Sequence, residues 1–91
     1  MKAETMLAKL KDILSAERQA QLEKYASLKK VLNALRDEKK KLEKELANET
    51  DEAAQHEIAS RLKVISKQRK KGLKVLHELK EERKRPNKKN P

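Results

Sequence analysis

The strongest constraint on this chain is a leucine-rich stripe that recurs every three or four residues with almost no helix breaker along it. In the first half the apolar positions are Met6, Leu7, Leu10, Ile13 and Leu14, then Tyr25, Leu28, Val31, Leu32, Leu35, Leu42 and Leu46. At about 100° per residue these lie within roughly 60° of one line on a helix. In the second half Ile58, Leu62, Ile65, Leu73, Leu76 and Leu79 repeat the pattern, with Arg69 and Gly72 on the same face. Spacings that alternate between three and four residues are those of a coiled-coil seam. Gly72 is the single glycine among 91 residues, and both prolines, Pro86 and Pro91, stand at the C-terminal end. Phe and Trp are absent and Tyr25 is the one aromatic, so a thick globular centre has no large side chains to fill it. The expected fold class is all-α. Charged residues are 44% of the chain, a composition that also suits disorder, but the periodicity argues against disorder over residues 3–84.

The two stripes do not fit one straight rod. Carried back through residue 50, the second would lie about 120–140° around from the first. A reversal restores agreement. Asn48 is a candidate left-handed C-cap and Thr50 a candidate N-cap, and Asp51 and Glu52 suit the positive first turn of a following helix. The expectation is a long antiparallel two-helix hairpin, a coiled coil with one helix at about 3–47, a turn at 48–50 and a second helix at about 51–84. Pro86 stops the second helix, leaving 85–91 as a flexible basic tail. In that hairpin, residues whose numbers sum to about 98 face each other. Tyr25 then meets Leu73, and Gly72 makes room for the tyrosine ring.

This register leaves Met6, Leu7, Leu10, Ile13 and Leu14 without cover in a monomer, and Val64, Val75 and Leu79 form a second open set on the flank of the second helix. Burying one such side chain contributes ~1.5–3 kcal/mol, and two helices alone rarely bury enough surface to be stable. These eight residues are therefore the expected surface for self-association or partner docking, most simply in a homodimer that forms a four-helix assembly. A different protein partner is one alternative. A bend near Ser15 that folds residues 1–14 back as a separate helix, with Ser15 and Glu17 as its capping residues, is another.

Charge is distributed unevenly. Residues 1–57 hold 12 Lys/Arg and 12 Asp/Glu, whereas residues 58–91 hold 13 and 3, which is the whole net charge of +10. On the second helix Lys63, Lys67, Lys70, Lys71 and Lys74 share one arc of about 100°, a ridge ~16 Å long. No acid lies between Glu57 and Glu78 to interrupt it. Arg83, Lys84, Arg85, Lys88 and Lys89 extend the basic run toward the terminus. Such a surface is either a phosphate track or a solvated lysine face. The chain has 19 Lys and 6 Arg. Lysine makes point-charge contacts with phosphate, whereas planar, bidentate base readout is arginine chemistry. Without aromatic platforms for unpaired bases, binding to DNA or RNA is expected to follow the backbone and to weaken steeply with salt.

Little supports catalysis. There is no cysteine, hence no disulfide and no thiolate site. His56 and His77 are 21 residues apart, and neither has a second His or Cys three or four positions on. The serines have no base in a motif context, and no glycine-rich phosphate loop is present. No enzyme activity, catalytic residue, metal, cofactor or small-molecule substrate is expected. The N-terminal region has no unbroken apolar run, so neither a signal peptide nor a membrane span is expected and the location reads as cytoplasmic. The expected role is that of a small non-enzymatic coiled-coil interaction protein, an adaptor, scaffold or assembly factor acting through the apolar face of the first helix. A nucleic-acid-associated protein acting through the lysine ridge is the alternative.

Overall fold

The structure is a computed structural model that describes residues 2–84. Arg85, Lys88, Lys89 and the expected tail at 85–91 lie outside the described residues. The chain is all-α, with helices α1 (Lys2–Leu14), α2 (Arg18–Glu23), α3 (Tyr25–Asn48) and α4 (Glu52–Arg83) in that order. Each helix touches the other three.

The continuous first helix expected at 3–47 does not form. It is interrupted at 15–17 and again at Lys24, so α1 turns back over α3 and α4. The corner is built from polar groups that satisfy the loose carbonyls ending α1. The Ser15 hydroxyl donates to the Asp12 carbonyl at 3.1 Å, and the Ala16 N–H donates to the Ile13 carbonyl at 3.1 Å. Gln21 Nε2 donates to the carbonyls of Ile13 at 3.1 Å and Leu14 at 3.3 Å. Ser15 therefore closes α1 rather than opening the next helix, where Glu17 holds the N-cap position without a side-chain cap bond. At Lys24 a φ of −102° and ψ of 20° kink the chain, while its N–H still reaches the carbonyls of Ala20 and Gln21.

Burial explains why a breakerless segment bends. Leu10 and Ile13 are 0% and 4% exposed and join Leu28, Val31, Leu32, Leu35, Leu42, Ile65 and Leu79 in one core. Met6, Leu7, Leu14 and Val75 pack at its edge. Apart from Val64, the two sets expected to be open on the outside thus belong to one shared core. Removing the residue 6–14 set from water contributes on the order of 10 kcal/mol. The interrupted helix gives up a few backbone hydrogen bonds at about 0.5–1.5 kcal/mol each. Burial wins.

The connection between α3 and α4 spans 49–51 rather than 48–50. Asp51, not Thr50, caps α4: its Oδ2 accepts from the Ala54 N–H at 2.9 Å. Gln55 Nε2 donates to the Glu49 carbonyl at 2.6 Å, and Glu49 accepts the Asp51 N–H at 3.1 Å. Asn48 is the last helical residue of α3, and no described non-glycine residue has a positive φ, so the expected left-handed cap is not used. Arg69 Nε donates to the Leu32 carbonyl at 3.1 Å, and the Arg83 guanidinium lies 4.2 Å from the centroid of the Tyr25 ring. Position numbers on α3 therefore fall as those on α4 rise. Two expected pairings are corrected. Leu73, expected opposite Tyr25, is 41% exposed, and the group stacked on the Tyr25 ring is the Arg83 guanidinium. Gly72 gives room to Leu32 and Leu10 rather than to the tyrosine ring. The turn is centred one residue later than expected, and α1 occupies the space beside Gly72.

A candidate anion-binding ridge on the outer face of α4

Three sides of α4 have distinct neighbours. Toward α3 stand Leu62, Arg69 and Leu76, of which Arg69 is tied to the Leu32 carbonyl. Toward α1 stands Val64, which lines a shallow groove beside Ala3 and Leu7, while Val75 packs at the edge of the core. At about 100° per residue the remaining side carries Lys63, Lys67, Lys70, Lys71 and Lys74. All five are exposed. Among the described residues no ion pair holds any of them. The ridge is thus a row of solvated ammonium groups on a helix of 32 residues braced from behind by α1 and α3.

The ridge ends more sharply than expected. Glu78 and Glu81 fall on the same arc just beyond Lys74. Arg83 and Lys84 lie around the helix from it, and the Arg83 guanidinium is stacked on Tyr25. Arg83 and Lys84 therefore do not continue the lysine row. Glu78 is in turn held by Arg18 at 3.0 Å, and Arg18 also approaches Glu82 at 3.7 Å.

Of the eight residues expected to meet a partner, Leu10, Ile13 and Leu79 are buried within the chain, and Met6, Leu7, Leu14 and Val75 are half-buried. Val64, 50% exposed, is the one left largely open. Sequence reasoning missed the corner group: Arg18, Gln21 and the Lys24–Asp12 pair at 3.9 Å. The available signal was Gln21 itself, an uncharged polar residue where the apolar line is interrupted between Leu14 and Tyr25. It is the buried polar residue of the core, and among the described residues no buried side-chain nitrogen or oxygen lacks a partner.

His56 and His77 are both exposed. Among the described residues no cluster of three or more His, Cys, Asp or Glu side chains could hold a metal ion. No described helix is long and apolar enough to cross a membrane. Compared with known proteins, the chain matches no protein-family model, no curated protein and no solved structure.

Proposed function

We propose that this chain is a small non-enzymatic helical protein that grips the phosphate backbone of nucleic acid along α4. The observation that supports this reading is the row of five exposed lysines, free of ion pairs among the described residues, on the face of α4 turned away from α1 and α3. A straight helix held by an antiparallel neighbour presents these charges at fixed spacing, and each phosphate contact releases condensed counterions. With at most five contacts, log K falls against log salt with a slope of about −4 to −5 on duplex DNA. Lysine without stacking aromatics makes the binding weakly selective for sequence. The lack of cysteine suits a reducing compartment, and the cytoplasm is the location that goes with this reading.

The test is a salt titration of binding to duplex DNA and duplex RNA, with an acidic protein as control. The Lys67→Glu/Lys71→Glu variant should lose binding while keeping its helix content. A slope shallower than about −2, or equal binding by the variant, rules the reading out.

A second reading, association through the apolar face of residues 6–14 in a homodimer, has support of its own. The stripes of α1 and α3 share one helical phase, which a bent chain does not need.

A further inference from the structure

We propose that the surface of α3 and α4 covered by α1 also accepts the α1 of a second copy of this chain. The exchange happens when residues 15–24 straighten and α1 continues into α3 as one helix. This deepens the association reading above and rests on it.

The first support is phase. In a chain that always bends at 15–17, the apolar line of α1 bears no required relation to that of α3, because the corner resets the rotation. Here Met6, Leu7, Leu10, Ile13 and Leu14 fall within roughly 60° of the line through Leu28, Val31, Leu32, Leu35 and Leu42, counted straight through the corner. Gln21 lies on that line too. A helix running unbroken through residues 2–48 would present one seam in a single phase, interrupted between Leu14 and Tyr25 by Glu17, Gln21 and Lys24.

Local chemistry gives the second support. The corner residues, from Ser15 to Lys24, contain no Gly and no Pro and are mostly good helix formers. Nothing in their backbone preference demands the bend. What holds it are the Gln21 bonds to Ile13 and Leu14 and the packing of Leu22 on the core. Leu22 is the one large apolar residue of the corner and lies off the common line, so the bent form uses it and the straight form does not.

The third support is geometric. In the bent chain Ala3 lies near Asp37 and Glu38, and Asp12 pairs with Lys24 at 3.9 Å. These pairs are centred between residues 18 and 21. Two straight helices laid antiparallel, with a two-fold axis near that centre, bring the same pairs together between copies. Each α1 then reaches the surface it covers in the bent form, including the position of Leu10 at Gly72. The exchanged dimer keeps the apolar contacts of α1 and gains the helix hydrogen bonds that the corner forgoes. The bent monomer keeps Leu22 and avoids the entropy of association. Protein concentration therefore selects between them.

Glu17 supplies the test. Its φ is −73°, inside the range of proline, and its N–H makes no hydrogen bond among the described residues. Glu17→Pro fits the corner and forbids a helix running through it. Wild type, Glu17→Pro and Gln21→Ala are each unfolded, refolded at high concentration, and weighed by sedimentation equilibrium, with circular dichroism to confirm folding. Wild type should yield a dimer beside the monomer, Gln21→Ala several-fold more dimer, and Glu17→Pro monomer alone. As a second readout, Asp12→Cys/Lys24→Cys in this cysteine-free chain, treated with a flexible bis-maleimide long enough to replace the Asp12–Lys24 ion pair, should be bridged within one chain when refolded dilute, and between chains when refolded concentrated. A wild type that stays monomeric throughout overturns association itself. A dimer that Glu17→Pro forms equally well, or that never cross-links between chains, overturns exchange while leaving association standing.

Discussion

Leu10 and Gly72 meet where α1 crosses α4: a Cβ at position 72 would stand 3.0 Å from Cδ1 of Leu10 and 2.6 Å from Cδ2 of Leu32. Three helices converge on this point. Leu10 and Leu32 are both essentially without solvent exposure, so neither can swing away into water. The glycine is valued here for its missing side chain, within a regular helix.

Substituting position 72 therefore sets helix propensity against space. Gly72→Ala gains roughly 1 kcal/mol of propensity and loses about 1–3 kcal/mol to crowding, so it should lower stability by up to about 2 kcal/mol. Gly72→Val adds branched bulk without that compensation and should lower stability by roughly 2–4 kcal/mol in chemical denaturation. In addition, Leu10→Ala and Gly72→Ala should couple by at least about 0.5 kcal/mol in a double-mutant cycle. Additive effects would mean that α1 does not lie on α4.

Gln21 closes the end of α1 from a buried position. Gln21→Ala removes its two bonds, leaving the Ile13 carbonyl with the Ala16 N–H alone and taking the side-chain donor from the part-buried Leu14 carbonyl. A loss of about 1–3 kcal/mol is expected for the dilute monomer. The exposed neighbour Gln19→Ala is the control, and its change should stay within about 0.5 kcal/mol. Equal effects at the two positions would refute the capping role.

The start of α4 distinguishes two adjacent residues. Asp51→Ala removes the acceptor for the Ala54 N–H and should cost about 0.5–2 kcal/mol. Thr50→Ala should change little. A larger loss at Thr50 would return the cap to the residue that sequence preference alone suggests.

The lysine ridge trades stability for charge. Lys67 is flanked four residues away on each side by Lys63 and Lys71. Lys67→Glu turns two like-charge neighbours into two opposite pairs and should stabilise the helix by about 0.4–1 kcal/mol at low salt. The gain should fade as salt rises. A melting temperature that drops at low salt would show that Lys67 has a structural partner.

The helical class, the apolar lines and the ridge were all legible from spacing. Leu28, Val31, Leu32, Leu35 and Ile65 are core residues because a helical period puts them on one side of each helix. Lys63 to Lys74 are exposed because the same period turns them away from it. The caps were legible only to within a residue, since Thr50 and Asp51 are both good N-caps and side-chain chemistry does not choose between them. The bend near Ser15 was legible as one of three ways to cover residues 6–14, but the sequence did not choose it over a dimer or another partner. Ser15, Ala16 and Glu17 carry no breaker, and Gln21 looked like a gap in a stripe rather than the bond that closes a corner.

The sequence by itself determined which residues turn inward, where the positive charge collects and that the chain is helical, because these follow from a period of about 3.6 residues and from side-chain polarity. Only the tertiary structure decided that the first helix breaks near Ser15 rather than running on, and what Gly72 is for. Both depend on α1 finding the open flank of α4, a contact between residues some sixty positions apart. Its burial energy outweighs every local preference of the segment that has to bend.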